Sequence, residues 1–213
     1  MQASETVRNA PSVALAVEAV IAAGRYAAAR GWVPATAGNF SVRAGERIAI
    51  TRTGRDKSAL TPADVAIVTL AAPVDDELSA EAPLHFARYM SDPDVGAVYH
   101  VHTTVAAVLG RRHLTDGALF FNGWEMQKTL AGVNSHEQTV RLPILANNQD
   151  TRALAVAAEA ELARADASIT APGYLVAGHG LYAWGGRPAD ALRHLEGLDS
   201  LLSLYAQLSG FPR

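Results

Sequence analysis

A short apolar run that ends in two alternating histidines is the feature that most constrains the fold of this chain. Residues 95–99 read Val-Gly-Ala-Val-Tyr, which indicates a short buried β-strand, and His100-Val101-His102 follows directly. Because successive side chains of a strand point to opposite faces, His100 and His102 should share one face. Two imidazoles on one face at the end of a buried strand are suited to a borderline metal such as zinc.

Two histidines do not complete a metal site, so a third ligand must come from elsewhere in the chain. The best candidate is His179 in Gly178-His179-Gly180, because the flanking glycines allow the backbone to turn sharply and direct the ring inward. The alternative is that the strand-end histidines only make hydrogen bonds. The pattern does not determine which metal binds, since iron, cobalt and manganese accept imidazole ligands too.

The composition excludes several classes of function. The 213 residues, 49% of them hydrophobic, suffice for one core, so we expect a single domain over residues 1–213 with a loose leader at residues 1–11. The formal net charge of −3 argues against binding nucleic acid or an anionic membrane. The absence of cysteine excludes disulfides and thiolate metal sites. We find no membrane-spanning apolar run and no signal-peptide pattern, so we expect a soluble cytoplasmic protein.

Helical and strand patterns are mixed along the chain. Residues 12–31 are Ala-rich and helical in period, with Ser12 as a candidate N-cap and Gly31 as a stop. Residues 40–43 and 48–51 predict a β-hairpin. Further helices are predicted at residues 79–90, 103–112, 121–130, 150–165 and 188–207, and further strands at 65–70, 140–144, 174–176 and 181–184. Pro143 favours an edge position for its strand. These patterns favour a mainly antiparallel or mixed sheet with helices packed on its faces.

Two polar loops, residues 36–39 and 53–58, are candidates for binding a phosphate. Each offers a hydroxyl, a glycine and backbone N–H groups, and the second adds Arg55 and Lys57. Backbone donors in a concave turn, together with a cation, hold phosphate groups in many proteins. The alternative is that these loops are ordinary turns.

Two carboxylates are candidates for acid–base chemistry. Glu81 is predicted in the first turn of the helix at 79–90, and Glu125 in the short helix at 121–130. A Glu in a first turn interacts favourably with the helix dipole, so either residue matters for catalysis only if it faces the histidines. We interpret the other histidines as surface or packing residues: His85, His113, His136 and His194.

Taken together, these segments resemble the class II aldolase family of metal-dependent sugar-phosphate enzymes. The resemblance covers roughly residues 20–205, and the order of the HxH motif at 100–102 and the GHG motif at 178–180 is specific for the family. The Trp-Pro loop within residues 31–41, the Glu-Met step at 125–126 and the Gly-Leu-Tyr-Ala-Trp-Gly run at 180–185 point to its dehydratase branch. The remaining matching segments are residues 50–57, 79–81 and 148–150.

The resemblance implies a three-layer α/β fold, in which helices pack on both faces of a central, mainly antiparallel sheet. It also implies a homotetramer with sites near the subunit contacts, and one zinc ion per subunit. The implied zinc ligands are His100, His102 and His179. Asn39, Thr53, Gly54 and Ser79 match positions near the substrate phosphate, and Lys57 joins them through the loop argument above.

The resemblance also assigns roles to the two carboxylates. Glu125 matches the acid/base of the dehydratases, whereas Glu81 matches a residue that many family aldolases use as acid/base or metal ligand. Ala37 and Ala80 stand where serines are common, which removes two hydroxyls that could hold phosphate. The implied activity is a lyase that removes water from a phosphorylated ketose, with an aldolase or epimerase as the alternative. A non-catalytic adducin-like module would lack the zinc histidines, and this chain keeps all three.

Overall fold

A central β-sheet organises the computed structural model of this protein, which describes residues 11–70, 77–164 and 167–210. Within these residues its nine strands are β1 (Asn39–Ala44), β2 (Arg47–Thr51), β3 (Val65–Thr69), β4 (Ala97–Val101), β5 (Ala118–Phe121), β6 (Val140–Leu145), β7 (Ile169–Thr170), β8 (Gly173–Val176) and β9 (Gly180–Gly185). Their spatial order is β3-β2-β1-β4-β9-β8-β6-β5, with β7 beside β6. Pairing is antiparallel except where β6 meets β7 and β8. The predicted mainly antiparallel sheet is therefore confirmed, whereas residues 1–10 of the expected leader lie outside the described residues.

Helices cover both faces of this sheet. Within the described residues they are α1 (Val13–Ala29), α2 (Ala82–Ser91), α3 (Thr104–Arg112), α4 (Thr151–Leu162) and α5 (Pro188–Leu208). One face buries Val20 of α1, Leu109 of α3 and Leu198 of α5 in a single hydrophobic cluster. The opposite face buries Phe86 of α2 and Leu154 of α4 in another. The predicted three layers are confirmed, and no helix in the described part of the chain is long and apolar enough to cross a membrane.

Strand β4 lies in the middle of the sheet, and all of its residues are buried. Tyr99 packs on the α1 side of the sheet, whereas Val98 packs on the α2 side. Strand alternation therefore directs His100 to the α2 side. Cross-strand pairing sets His100 opposite Asn39 of β1 and opposite Tyr182 of β9.

The predictions for the first helix and the first hairpin are confirmed. The hydroxyl oxygen of Ser12 accepts a hydrogen bond from the Leu15 amide at 3.3 Å, which caps α1. Gly31 follows the helix with a φ of 70°, a conformation that glycine adopts without strain. The hairpin of β1 and β2 forms as expected.

Helix α2 begins later than the sequence pattern predicts. It starts at Ala82 rather than Ser79, and Glu81 is its N-cap residue rather than a member of its first turn. Pro83 explains the shift, because a proline inside a helix clashes with the carbonyl group four residues earlier, here that of Ser79. A proline within the first turn of the helix avoids this clash.

The prediction of a helix over residues 121–130 is wrong in its first half. Residues 118–121 form strand β5, and only Glu125–Thr129 is helical, as a 3₁₀-helix. The aromatic side chains of Phe120 and Phe121 suit a pleated strand paired with β6. Gly123, with a φ of 85°, separates the strand from the short helix.

The expectation that Pro143 marks an edge strand is also wrong, since β6 lies between β5 and β8. The Ile144 amide donates to the Gly117 carbonyl on the β5 side, so alternation turns the Pro143 nitrogen to the other side of β6. On that side β7 pairs with residues 140–141 and β8 with residues 144–145. Pro143 therefore falls in the gap between the two partners, where no ladder donor is needed.

Gly180 allows β9 to lie directly against the end of β4. A Cβ atom on Gly180 would lie 2.1 Å from the Val101 carbonyl oxygen and 3.0 Å from His100 Cε1. Because the first contact is with backbone, we expect Gly180→Ala to lower the free energy of unfolding by at least about 2 kcal/mol, measured by urea denaturation. Gly186→Ala is the control, since its nearest new contact is 3.4 Å away, at the Asp94 oxygen. Equal losses in the two variants would contradict the prediction.

Candidate metal centre

Three histidine side chains meet where β4 ends beside the turn between β8 and β9. His100 is in β4, His102 follows that strand, and His179 precedes β9. The Nε2 atoms are separated by 2.9 Å between His100 and His102, 3.3 Å between His100 and His179, and 3.2 Å between His102 and His179. The structure therefore brings together the three residues predicted as metal ligands.

The His100 ring is oriented by groups on β9. Its Nδ1 lies 3.0 Å from the Leu181 carbonyl oxygen, which can only accept, so Nδ1 carries the proton and Nε2 presents a lone pair. The ring also stacks on Tyr182, with centroids 3.9 Å apart and planes inclined by 13°. Burial lowers the pKa of His100 to about 3 and also lowers the pKa of His102. Both rings are therefore neutral, which is the form that binds a metal.

Glu81 adds a carboxylate to the three rings. Its Oε1 lies 2.7 Å from His179 Nε2 and 3.6 Å from His100 Nε2, and one ligand atom from each of the four residues lies within 4.8 Å of the others. Burial opposes ionisation of Glu81, but electrostatic interaction with the His100 and His179 rings and hydrogen bonds from His179 and Asn39 hold its pKa well below the usual range. A carboxylate and three imidazoles fit a divalent metal such as zinc. We call these four residues the metal centre.

Asn39 holds the second oxygen of Glu81. The Asn39 Nδ2 atom lies 2.6 Å from Glu81 Oε2 and 3.1 Å from the Ser79 hydroxyl oxygen. Its side-chain amide can therefore donate one hydrogen to each of these two acceptors. The sequence predicts Asn39 near a substrate phosphate, but in this structure its N–H groups are directed to protein atoms.

A polar cavity of about 240 Å³ lies beside Glu81 and His102. Its walls come from the two loops proposed to hold a phosphate. All five residues predicted near the phosphate line it: Asn39, Thr53, Gly54, Ser79 and Lys57. Arg52 lines it as well, and sequence reasoning missed this residue although it directly precedes Thr53. Arg52 forms an ion pair with Glu77.

Lys57 joins the two loops at the wall of this cavity. It is 2% exposed, and its Nζ donates to the carbonyl oxygens of Thr36 at 2.7 Å and Arg55 at 2.9 Å. Burial lowers the pKa of Lys57. Ala35 and Thr36 have φ values of 50° and 66°, a left-handed conformation that residues with a Cβ rarely adopt. Through its hydrogen bond to the Thr36 carbonyl, Lys57 therefore holds the strained loop in place.

Glu125 lies apart from the metal centre. It begins the 3₁₀-helix Glu125–Thr129, and its side chain is 69% exposed. Its carboxylate pairs with Lys128 and lies 3.2 Å from His136 Nδ1, and the hydrogen bond with Lys128 lowers its pKa. It neither belongs to the four-residue cluster nor lines the cavity. Among the described residues of one chain, the carboxylate at the metal centre is that of Glu81.

Two further histidines have local partners elsewhere. His113 Nδ1 lies 2.7 Å from the carboxylate of Asp116. His194 is buried, with its Nδ1 2.6 Å from the Trp184 carbonyl oxygen and its Nε2 accepting from the Ala131 amide at 3.2 Å. These contacts agree with the surface and packing roles that the sequence predicts.

Sequence comparisons place the chain among proteins of similar length. Residues 18–206 match the family model described as Class II Aldolase and Adducin N-terminal domain. Methylthioribulose-1-phosphate dehydratase of Bradyrhizobium sp. strain BTAi1 is 53% identical over 191 residues, which cover 88% of each chain. The protein of the same name in Methylococcus capsulatus is 42% identical over 197 residues, which cover 91% of this chain and 94% of the relative.

Solved structures share the fold. L-fuculose-1-phosphate aldolase from Thermus thermophilus matches with a TM-score of 0.72 and 28% sequence identity, covering 92% of this chain and 98% of that one. A sugar-phosphate aldolase from Thermotoga maritima matches with a TM-score of 0.60 and 15% identity, covering 92% and 96% of the two chains. The second likeness, at its low identity, shows the fold alone.

We expect His102→Ala to weaken binding of a divalent metal by more than about 100-fold, because it removes one of the three converging imidazoles. Isothermal titration and metal analysis of the purified protein measure the effect. His113→Ala is the control, because His113 contacts Asp116 and lies outside the metal centre. This variant should keep the wild-type affinity for the metal. Wild-type metal content in His102→Ala would contradict the assignment.

Proposed function

Because the chain belongs to the class II aldolase and adducin family, we propose that it is a metal-dependent hydro-lyase of methionine salvage. Its reaction converts 5-methylthioribulose 1-phosphate to 2,3-diketo-5-methylthiopentyl 1-phosphate and water. The observation that carries this proposal is the convergence of three imidazoles and Glu81 beside a polar cavity. The identity to the dehydratases over nearly the whole chain supports the substrate.

We propose one zinc ion per subunit, held by His100, His102 and His179. Zinc at such a site acts as a Lewis acid that polarises a carbonyl group and stabilises negative charge on its oxygen. The neutral state of the buried rings supports this assignment, since neutral ligands leave the ion its full positive charge. Glu81 occupies the remaining side of the centre.

The cavity is proposed to receive the C1 phosphate of the substrate. The hydroxyls of Thr53 and Ser79 and the backbone N–H of Gly54 offer hydrogen-bond donors, and Lys57 adds a cation at the cavity wall. With the phosphate held there, C2 and C3 of the substrate would lie towards Glu81 and His102, which border the same cavity. Asn39 contributes through Glu81, which it already contacts.

A carboxylate is proposed to move one proton during the reaction. Glu125 removes the proton from C3 and returns it to the C4 hydroxyl, which leaves as water when the C4–O bond breaks. The enol that remains loses the proton of its C3 hydroxyl and gains a proton at C4, which gives the 2,3-diketone. Glu81 is the second candidate, because its low pKa keeps it in the ionised form that a base requires.

For Glu125 to act in this way, an active site must combine the metal centre of one subunit with Glu125 of another. We propose a homotetramer in which Glu125 of one subunit reaches the metal centre of its neighbour. Glu125 is exposed and lies close in sequence to Phe120 and Met126, apolar side chains that are 52% and 37% exposed. Exposed apolar side chains around an exposed acid are typical of a subunit contact.

A sugar-phosphate aldolase or epimerase is the second candidate function. The 28% identity to an L-fuculose-1-phosphate aldolase favours it, and the same metal centre would serve cleavage of the C3–C4 bond. A non-catalytic adducin-like module is disfavoured by the complete set of three histidines and Glu81.

We expect the wild-type protein to convert 5-methylthioribulose 1-phosphate to the diketone, and Glu125→Gln to lose about 10²–10⁴-fold in kcat because it lacks the proton-transfer group. Product formation followed by mass spectrometry, alongside metal analysis, measures this. The variant should keep its metal, and Glu46→Gln, which changes an exposed Glu in the β1–β2 turn, should keep its activity. Turnover of fuculose 1-phosphate or ribulose 5-phosphate without diketone formation would instead support the aldolase or epimerase.

Hybrid tetramers test whether one site uses two subunits. His102→Ala and Glu125→Gln should each be inactive alone. In a mixture assembled from equal amounts, about a quarter of the sites would combine an intact metal centre with an intact neighbouring Glu125, so activity should recover to about 25% of wild type. Mixing Glu125→Gln with the double variant is the control and should show no recovery. Hybrids that form but stay inactive would contradict sharing.

A further inference from the structure

His85 is a buried histidine that neither binds in the metal centre nor lines the cavity. It lies in α2, four residues after Glu81, and is 0% exposed. Both ring nitrogens have partners on β1: Nε2 lies 2.5 Å from Asn39 Oδ1, and Nδ1 lies 2.7 Å from the Ser41 hydroxyl. A fully buried imidazole with both nitrogens engaged has a fixed orientation.

The hydrogen-bond chemistry of these groups leaves one consistent arrangement. The Glu81 carboxylate can only accept, so the Asn39 amide must turn its Nδ2 towards Glu81 and its Oδ1 towards His85. Since Oδ1 is an acceptor, the proton of the neutral His85 ring lies on Nε2. Its Nδ1 therefore accepts from the Ser41 hydroxyl. Burial lowers the pKa of His85 to about 4, which keeps the ring in this neutral form.

The hydrogen-bond network around His85 extends away from the metal centre to Ser41, Tyr89 and Arg43. The Ser41 oxygen lies 2.8 Å from the Tyr89 hydroxyl, which donates to it because the Ser41 hydrogen is directed at His85. Asn39, Ser41 and Arg43 are alternate residues of β1 on the side that faces α2, and all three are buried. The Arg43 guanidinium donates to the Tyr89 carbonyl. Residues of β1 therefore hold both nitrogens of the His85 ring, and Tyr89 of α2 in turn holds Ser41.

We propose that His85 is a positioning residue for the metal centre. Its Nε2–H fixes the Asn39 amide, the amide holds Glu81 Oε2, and Glu81 Oε1 is thereby left facing His100 and His179. Without the His85 donor, Asn39 Oδ1 loses its partner, and the amide is held only through Nδ2 by Ser79 and Glu81, so the Glu81 carboxylate is oriented less firmly. The inference rests on the proposed metal-dependent function, but its tests do not require the dehydratase reaction.

The first test reads the proton position directly. Nitrogen-15 NMR of the imidazole groups in the purified wild-type enzyme should show His85 protonated at Nε2 and unprotonated at Nδ1. His85→Gln identifies the resonance by its loss. The opposite tautomer, or a doubly protonated ring at pH 7, would overturn the proposal because neither gives the required arrangement.

The second test compares two amides that reach different atoms of the imidazole. The amide nitrogen of His85→Gln can occupy the place of Nε2 and donate to Asn39, whereas His85→Asn is too short to do so. With Co²⁺ as the probe, His85→Gln should bind within about 3-fold of wild type with an unchanged visible absorption spectrum. His85→Asn should bind roughly 10- to 100-fold more weakly with an altered spectrum, the loss typical of removing a partner that orients a metal ligand.

His194 supplies the matched control for stability. It is also buried and bonded through both nitrogens, but to backbone groups remote from the metal centre. His194→Asn should lower the midpoint of thermal unfolding while leaving Co²⁺ affinity and spectrum unchanged. If His85→Asn behaves in the same way, His85 has only a structural role and the proposal is overturned.

A third variant covers the case in which His85→Asn does not fold. Ser41→Ala removes the hydroxyl that holds His85 Nδ1 and should weaken Co²⁺ binding several-fold with a change in spectrum. Wild-type binding and spectrum in Ser41→Ala would then overturn the proposal. Co²⁺ binding that responds as expected, in a protein that makes no diketone, would support the role of His85 and reject only the dehydratase function. A wild-type protein that binds no Co²⁺ would overturn both.

Discussion

The metal centre depends on the antiparallel pairing of β4 with a strand on each side. This pairing sets Asn39, His100 and Tyr182 in one row across three strands. From this row, Tyr182 supports the His100 ring from one side, and Asn39 reaches the carboxylate of Glu81 on the other. A shift of the register by one residue would turn each of these side chains to the opposite face of the sheet. The sheet thus sets the position of His100 and Asn39, whereas His102, His179 and Glu81 lie in the segments that adjoin it.

Burial would make this collection of polar groups unfavourable if any of them lacked a partner. The structure avoids this cost along one series of groups, by alternating donors and acceptors from Tyr89 through Ser41, His85 and Asn39 to Glu81. The buried Tyr182 hydroxyl, by contrast, has no hydrogen-bond partner among the described residues. The carboxylate at the end of this series can stay ionised in a buried place because several donors stabilise its charge. Helix α2 contributes by beginning directly after its N-cap residue Glu81, which brings the partial positive charge of a helix N-terminus close to the carboxylate.

The sequence predicts the parts of this protein that follow from local patterns. The alternation at His100 and His102 and the glycines around His179 are visible in short segments, and both loops of the cavity can be identified by their polar residues. The helix and strand patterns already favoured a mainly antiparallel or mixed sheet, and the resemblance to known enzymes added its three-layer arrangement. The contact of Asn39 with His85 joins residues 46 positions apart, and spacing carries no information about it. The start of α2 and the strand at residues 118–121 depended on a proline clash and on pairing with β6, which outweighed local helical preference.

The strained loop at Ala35 and Thr36 has a consequence for the entropy of binding. A flexible loop loses conformational freedom when a ligand orders it, and that loss opposes association. Here Lys57 holds the Thr36 carbonyl before any ligand arrives, so folding has already ordered this cavity wall. The loop's unfavourable φ values are maintained by the buried lysine and by the packing around it rather than by the ligand. An anion that enters the cavity therefore meets a wall whose shape is already set, and less of its interaction energy is consumed in immobilising the chain.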